Sequence, residues 1–307
     1  MGALVRRASM WLVLAVFGAA GCNGEEESAA DDTLDGFGDA SFSTEEALVD
    51  WAVSASAPNV YFAAFLPLLA FESTEGLTCP SVIEEGDRII YEGGCTDEDG
   101  VTWEGRTVVE SEDGVDTIRY EDMTATEESD CASATEPQVV EFSGVVTRSG
   151  AATQSFTVDL VLSGSGPDDD TCEPTSEALA WRYDGTLVPG TGDVQTWAGS
   201  GRVGASDRGT LMATTTDEVL DSSTCDSEAL SGTTTLESTG NVAVITYDGA
   251  TDCDEDSTVT WTYNGDDRGE VAGVACAAVG PMAGGAWLVG VVLVLAGGRR
   301  RCLQPGS

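Results

Sequence analysis

The side chains that could do chemistry in this 307-residue chain are carboxylates and thiols. There are 54 Asp and Glu against 13 basic residues, all of them Arg, and there is no His. Without His or Lys, Ser-His-Asp and Cys-His nucleophile activation, Ser-Lys dyads, Schiff-base chemistry and His-ligated zinc are excluded. What survives is acid–base work by paired carboxylates, as in a glycan hydrolase, which needs two carboxyl groups about 5–10 Å apart in a cleft. Spacing singles out no such pair among 54, so the chain reads as non-enzymatic. Asp252, Asp254 and Asp256 carry the one-three-five spacing of a calcium loop. Position six is Ser257 rather than Gly and position twelve is Tyr263 rather than Glu, so the motif fails. The turn at Asp97 and Asp99 fails as well. Such Asp-rich turns support weak calcium binding at most; no other metal and no cofactor is implied.

Six of the nine cysteines, Cys79, Cys95, Cys131, Cys172, Cys225 and Cys253, lie in the central region. None forms a Cys-x-x-Cys pair, which argues against redox catalysis and thiolate metal sites. They sit in a repeated unit: a strand, an acidic turn with a Cys, then a strand carrying a Trp. Cys95 precedes Trp103 by eight residues, Cys253 precedes Trp261 by eight, and Cys172 precedes Trp181 by nine. Six cysteines allow 15 connectivities. Sequential pairing, Cys79–Cys95, Cys131–Cys172 and Cys225–Cys253, closes one unit per bridge and is the expected arrangement. The Trp and Tyr residues of the units (Trp103, Trp181, Tyr183, Trp261, Tyr263) are expected in the core, with a carbohydrate-binding platform as the alternative.

The elements that must position these residues are mainly strands. Phe156, Val158, Leu160 and Leu162 alternate with Thr157 and Asp159, Val259, Trp261 and Tyr263 alternate with Thr258, Thr260 and Thr262, and Ile118 and Tyr120 alternate similarly. Period-two alternation rich in Thr, Val and aromatics signals antiparallel strands with one solvated face. Turns are expected at Glu112-Asp113-Gly114, Ser163–Gly166, Asp184-Gly185, Asp248-Gly249 and Asn264-Gly265. The expectation is a mainly β fold, an antiparallel meander of about ten strands forming a curved sheet, sandwich or barrel. One or two short helices precede it. Ser43-Thr44-Glu45-Glu46 reads as a capping box with Ser43 as the cap, opening an amphipathic helix over 44–55. The apolar run 60–71, with Pro67 inside, reads as a buried helix, with a membrane-leaning segment as the alternative.

The ends of the chain read as address labels. Residues 1–21 have a basic start (Arg6, Arg7) and an apolar run from Met10 to Ala20, which is signal-peptide architecture. Residues 22–42 read as an acidic linker, 43–271 as the β-rich ectodomain and 272–307 as a tail. From Ala277 to Gly298 no residue is charged, and Arg299, Arg300 and Arg301 follow. As a helix those residues would extend roughly 33 Å, enough to cross a bilayer, with the arginines on the cytoplasmic side.

Ala19-Ala20-Gly21-Cys22 resembles a bacterial lipobox, which implies lipidation of Cys22. Cys276, the apolar span and the Arg cluster resemble the MYXO-CTERM class of C-terminal sorting signals over about 30 residues. That resemblance implies processing near Cys276 and display on the surface of a myxobacterium-like cell; the continuation Cys302 to Ser307 departs from the pattern.

Between the signal and the tail, eight arginines face 54 acidic residues, a formal charge of −46. Charge of this sign and size excludes nucleic acid as a partner. The expected partner is the membrane, together with an envelope or extracellular component the sequence does not name. Three functions remain in view. The leading one is a non-enzymatic structural or adhesive surface lipoprotein. The others are a module holding a lipid or hydrophobic ligand in a curved sheet, and a carboxylate-based glycan hydrolase.

Overall fold

The computed structural model describes residues 28–73, 76–129, 131, 136–167, 172–225, 228–253 and 258–272. Cys22, the signal segment, Asp254, Asp256, Cys276, the span 277–298 and the Arg cluster lie outside the described residues. The chain forms three helices, α1 (Ala29–Gly36), α2 (Glu45–Ala55) and α3 (Ala57–Ser73), and then one antiparallel sheet. Its strands are β1 (Ser81–Glu85), β2 (Arg88–Glu92), β3 (Cys95–Thr96), β4 (Thr102–Glu112), β5 (Val115–Glu127), β6 (Gln138–Ser149) and β7 (Gln154–Pro167). They continue as β8 (Pro174–Pro189), β9 (Gln195–Ala205), β10 (Gly209–Leu220), β11 (Ser231–Ser238), β12 (Asn241–Tyr247), β13 (Thr258–Tyr263) and β14 (Asp266–Ala272), with a short helix α4 (Gly249–Asp252) before β13.

Each strand pairs with its sequence neighbour from β4 to β14; β2 pairs β4 directly, and β3 adds to β4 beside it. The path runs from β1 to β14 without joining its ends, so the sheet is open and has two edges. The mainly β meander expected from sequence is present, with 14 strands rather than about ten. The surplus lies in stretches without apolar alternation. β1 is exposed along its whole length, β14 reads Asp-Asp-Arg-Gly-Glu-Val-Ala, and β9 is built largely of small residues. Two expected turns are strand interior instead. Ser163–Gly166 runs inside β7 and Asp184-Gly185 inside β8. At Gly185 a Cβ would stand 2.1 Å from the Phe156 ring, so the glycine makes room for a cross-strand aromatic instead of bending the chain. The Asp113-Gly114 and Asn264-Gly265 pairs do turn the chain, with positive φ at both residues of each pair.

The helix pair α2–α3 fills the concave side. α3 is apolar on all sides and correspondingly buried, as a helix enclosed by a sheet must be. Phe71 packs on Tyr91 of β2 and Trp103 of β4, and the Tyr120 hydroxyl of β5 donates to the Ala64 carbonyl. Tyr61 meets Phe156 and Trp197, from β7 and β9. Near the far end Phe42 meets Tyr263 of β13. Strands from β2 to β13 thus reach one central cluster, and the sheet must bend around it. The cap of α2 differs from the expected one by one residue. Thr44 rather than Ser43 accepts the Ala47 amide, and the helix begins at Glu45. Together α2 and α3 have the length and composition of a broken membrane span, bent by 55°, yet their apolar surface is spent on the sheet. Among the described residues no single helix is long and apolar enough to cross a membrane.

Residues 29–36, read from sequence as part of an acidic linker, form helix α1 on the convex face. Ala30 and Leu34 bury against Ala180, and Arg182 and Arg202 grip Asp31 and Asp35. The Thr210 hydroxyl donates to the Leu34 carbonyl at 2.6 Å. Docking depends on an absent side chain at Gly204, where a Cβ would come within 2.6 Å of Leu34 and 2.8 Å of Phe37. Gly204→Val should therefore lift α1 and cost about 1–3 kcal/mol by overpacking. Accelerated amide exchange confined to 29–37, with a lower urea midpoint, is the expected readout; an unchanged midpoint would refute it.

Candidate functional site

The structure pairs Cys79 with Cys95, Cys131 with Cys172 and Cys225 with Cys253, closing separations of 16, 41 and 28 residues. Trp103, Trp181 and Trp261 point into the core at 1–3 % exposure, and Tyr183 is buried at 2 %. Tyr263 is half-buried against the core and lies under Arg268. The repeat aromatics therefore pack in or against the central cluster, and the carbohydrate-platform alternative loses its exposed rings. Asp252 ends α4, with Asp254 and Asp256 beyond the described residues. Among the described residues no group of three or more Cys, Asp or Glu is arranged to hold a metal ion.

Two places combine charge with burial. The first is a buried polar seam where the α2–α3 junction meets β8, β10, β11 and β12. The Ala57 amide, at the start of α3, donates to the Thr215 hydroxyl at 2.9 Å. The Tyr183 hydroxyl donates to Thr215 at 3.4 Å, Thr215 and Thr234 share a hydrogen bond of 3.4 Å, and the Tyr247 hydroxyl donates to Thr234 at 3.1 Å. Glu218 joins this seam at 4 % exposure, and its Oε2 has no hydrogen-bond partner. The backbone is built to turn that residue inward. β10 bulges against both neighbours between Thr215 and Val219, with Asp217 at φ 48°. Facing it, Gly232 sits at φ 116°, and a Cβ there would lie 2.5 Å from the Glu218 Cα.

Burial pushes the Glu218 carboxyl up to about 8, because removal from water penalises the charged form. Burial also raises Tyr183 and Tyr247, with the nearby Glu218 carboxyl adding to both shifts. At neutral pH Glu218 is thus mainly a neutral acid among neutral hydroxyls. Glu228, also buried, accepts the Asp248 amide at 2.8 Å and adds negative potential on Tyr247. Nothing in sequence marked Glu218. Its inward turn follows from the one extra residue between Thr215 and Val219, which is legible only once the register is known.

The second place is a small polar cleft of about 220 Å³ lined by Tyr61, Gly114, Asp116, Arg148, Ser149, Gly150 and Gln154. Arg148 donates to Asp116 at 3.0 Å and to Glu72, at the end of α3, at 3.1 Å. Burial alone would lower the basicity of Arg148, but its bonds to Asp116 and the charge of Glu72 outweigh it and the net shift is upward. For Asp116 partial burial acts upward, and the hydrogen bonds from Ser111 and Arg148 overcome it, so the carboxyl lies below its ordinary value. The two carboxylates that approach each other here are held apart by one guanidinium. That arrangement ties α3 to β5 and β6, and Asp116, held below its ordinary value, is not the raised general acid that glycan hydrolysis requires. The chain matches no family model, no curated protein and no solved structure.

Proposed function

We propose that this protein is a non-enzymatic structural or adhesive element of the cell envelope, exported, lipidated at Cys22 and held at the surface. The observation that carries this reading is the filled concave face. A curved sheet built to hold a hydrophobic ligand needs an apolar cavity, typically about 300–1,000 Å³. Here α3 and the aromatics of Tyr61, Phe65, Phe156 and Trp197 occupy that space. The cleft beside Arg148 is smaller and polar. A packed interior supports a scaffold over a carrier. The hydrolase reading is weakened in the same way, because Asp116 and Glu72 are taken up by Arg148 and the acid at Glu218 is sealed from substrate.

The three disulfides fit an oxidising, extracytoplasmic compartment. Lipidation and the terminal sorting signal rest on sequence resemblance. Intact-mass analysis of the protein from its native membrane tests them together: an acylated Cys22, trimming near Cys276 and the loss of six hydrogens are expected. An unacylated species with free thiols would sink the reading. Cells lacking the protein should lose attachment or envelope integrity without losing any hydrolytic activity on surface glycans.

A further inference from the structure

The two edges of the sheet are built differently. β14 carries Asp266, Asp267, Arg268 and Glu270 within seven residues, all exposed, and its register with β13 shifts between Thr260 and Thr262. Charges and irregular register on an edge discourage a further strand. β1 has neither device along Ser81, Val82 and Ile83. Its five residues pair with β2 in unbroken register, and the Cys79–Cys95 bridge pins the chain entering it. Three of the six exposed large hydrophobics among the described residues sit here: Val82 at 44 %, Ile83 at 41 % and, on β2, Ile89 at 38 %. β1 is therefore an ordered strand with an apolar centre and one backbone edge that has no partner strand among the described residues.

We infer that β1 is the contact surface for a second copy of this chain, paired antiparallel across a twofold axis at Ile83. In that register Ile83 faces Ile83, Val82 faces Glu84 and Ser81 faces Glu85, so no carboxylate faces another. Parallel in-register pairing would set Glu84 on Glu84 and Glu85 on Glu85. Pairing β1 with a neighbour's β14 would bring those two glutamates to a strand that carries Asp266, Asp267 and Glu270 against a single Arg268, on an edge whose register is already irregular. Like charges directly opposite on paired strands are destabilising. Charge thus opposes the in-register parallel dimer, the charged and irregular β14 edge discourages a head-to-tail filament, and the twofold contact closes at two copies.

A five-residue strand pair is well below the ~1,200 Å² of a stable interface, and two strongly acidic bodies repel. The contact is accordingly weak in dilute solution and strengthened by salt, which screens that repulsion. Anchoring two copies in one membrane would raise their effective concentration, but the register does not depend on it.

Full-length protein, purified in detergent and concentrated at high salt, provides the test by mild oxidation of single-cysteine variants. Ile83→Cys should give severalfold more disulfide-linked dimer than the wild-type chain, whose cysteines beyond the three bridges set the background. Ser81→Cys and Glu85→Cys should each stay at background, since their like residues lie about 13 Å apart across the axis. A mixture of those two variants should cross-link. All three positions are exposed, and intact native disulfides with unchanged near-UV circular dichroism report folding. Background cross-linking by Ile83→Cys, or equal cross-linking by Ser81→Cys alone, would overturn the pairing. Failure of the mixed pair would do the same even if Ile83→Cys failed to fold. Cell fractionation reports membrane anchoring separately.

Discussion

Glu218→Gln should make the protein more stable at pH 8 and abolish most of the pH dependence of its stability between about 4.5 and 8, the ordinary and folded values of this carboxyl. The sign follows from proton linkage. Between those values the folded state keeps a proton that the unfolded chain has released, so stability falls as pH rises and levels off above about 8. Each tenfold change in proton affinity is worth ~1.4 kcal/mol, which makes the accumulated loss on the order of 3–5 kcal/mol. The amide of Gln is neutral at every pH and pays no such cost. Urea unfolding of both proteins across this range, at about 1 M salt where the Debye length is only ~3 Å, separates the effect from general carboxylate repulsion. Parallel stability curves for the two proteins would show that Glu218 ionises freely and that the buried seam is wrongly described.

The second large effect is expected at Trp181. Its ring is buried at 1 % in the central cluster, and its indole N–H donates to the Ser54 carbonyl of α2 at 2.9 Å. Trp181→Ala opens a cavity between sheet and helix pair and leaves that carbonyl unpaired, together about 3–5 kcal/mol. Trp181→Phe keeps most of the volume and loses mainly the hydrogen bond, so it should cost roughly 1–2 kcal/mol. Amide exchange in 45–73 should accelerate more than exchange in the outer edge strands. A cost below ~1 kcal/mol for the Ala variant would mean that α2 and α3 do not plug the sheet. It would also reopen the hydrophobic-ligand reading, because the concave face would then be accessible.

Legibility varied with how local the signal was. The alternation of Phe156, Val158 and Leu160 with Thr157 and Asp159 marked β7 because each inward residue is large and each of those neighbours polar. The same logic has no hold on β1 and β14, which bury little, and it misread Asp184-Gly185 as a turn. Asp-Gly is favoured in hairpins, but here a cross-strand Phe156 ring occupies the space over the glycine. Helix α1 looked like a solvated leash because three of its eight residues are Asp. Its partners, Arg182 and Arg202, lie some 150 residues or more away and could not be paired with it by any local pattern.

What the sequence by itself determined is the inventory: a strand-rich, strongly acidic chain with no His or Lys, cysteines spaced one pair per repeated unit, and an all-apolar segment that needed covering. These are properties of residue type and short-range period, which the chain carries before it folds. Only the tertiary structure decided that the apolar segment is covered by the protein's own sheet, that Glu218 is sealed beside Tyr183 and Tyr247, and that one sheet edge is charged along its length while the other has an apolar centre. Those outcomes depend on strand register and on bulges such as the one at Asp217, where a single extra residue exchanges inside for outside.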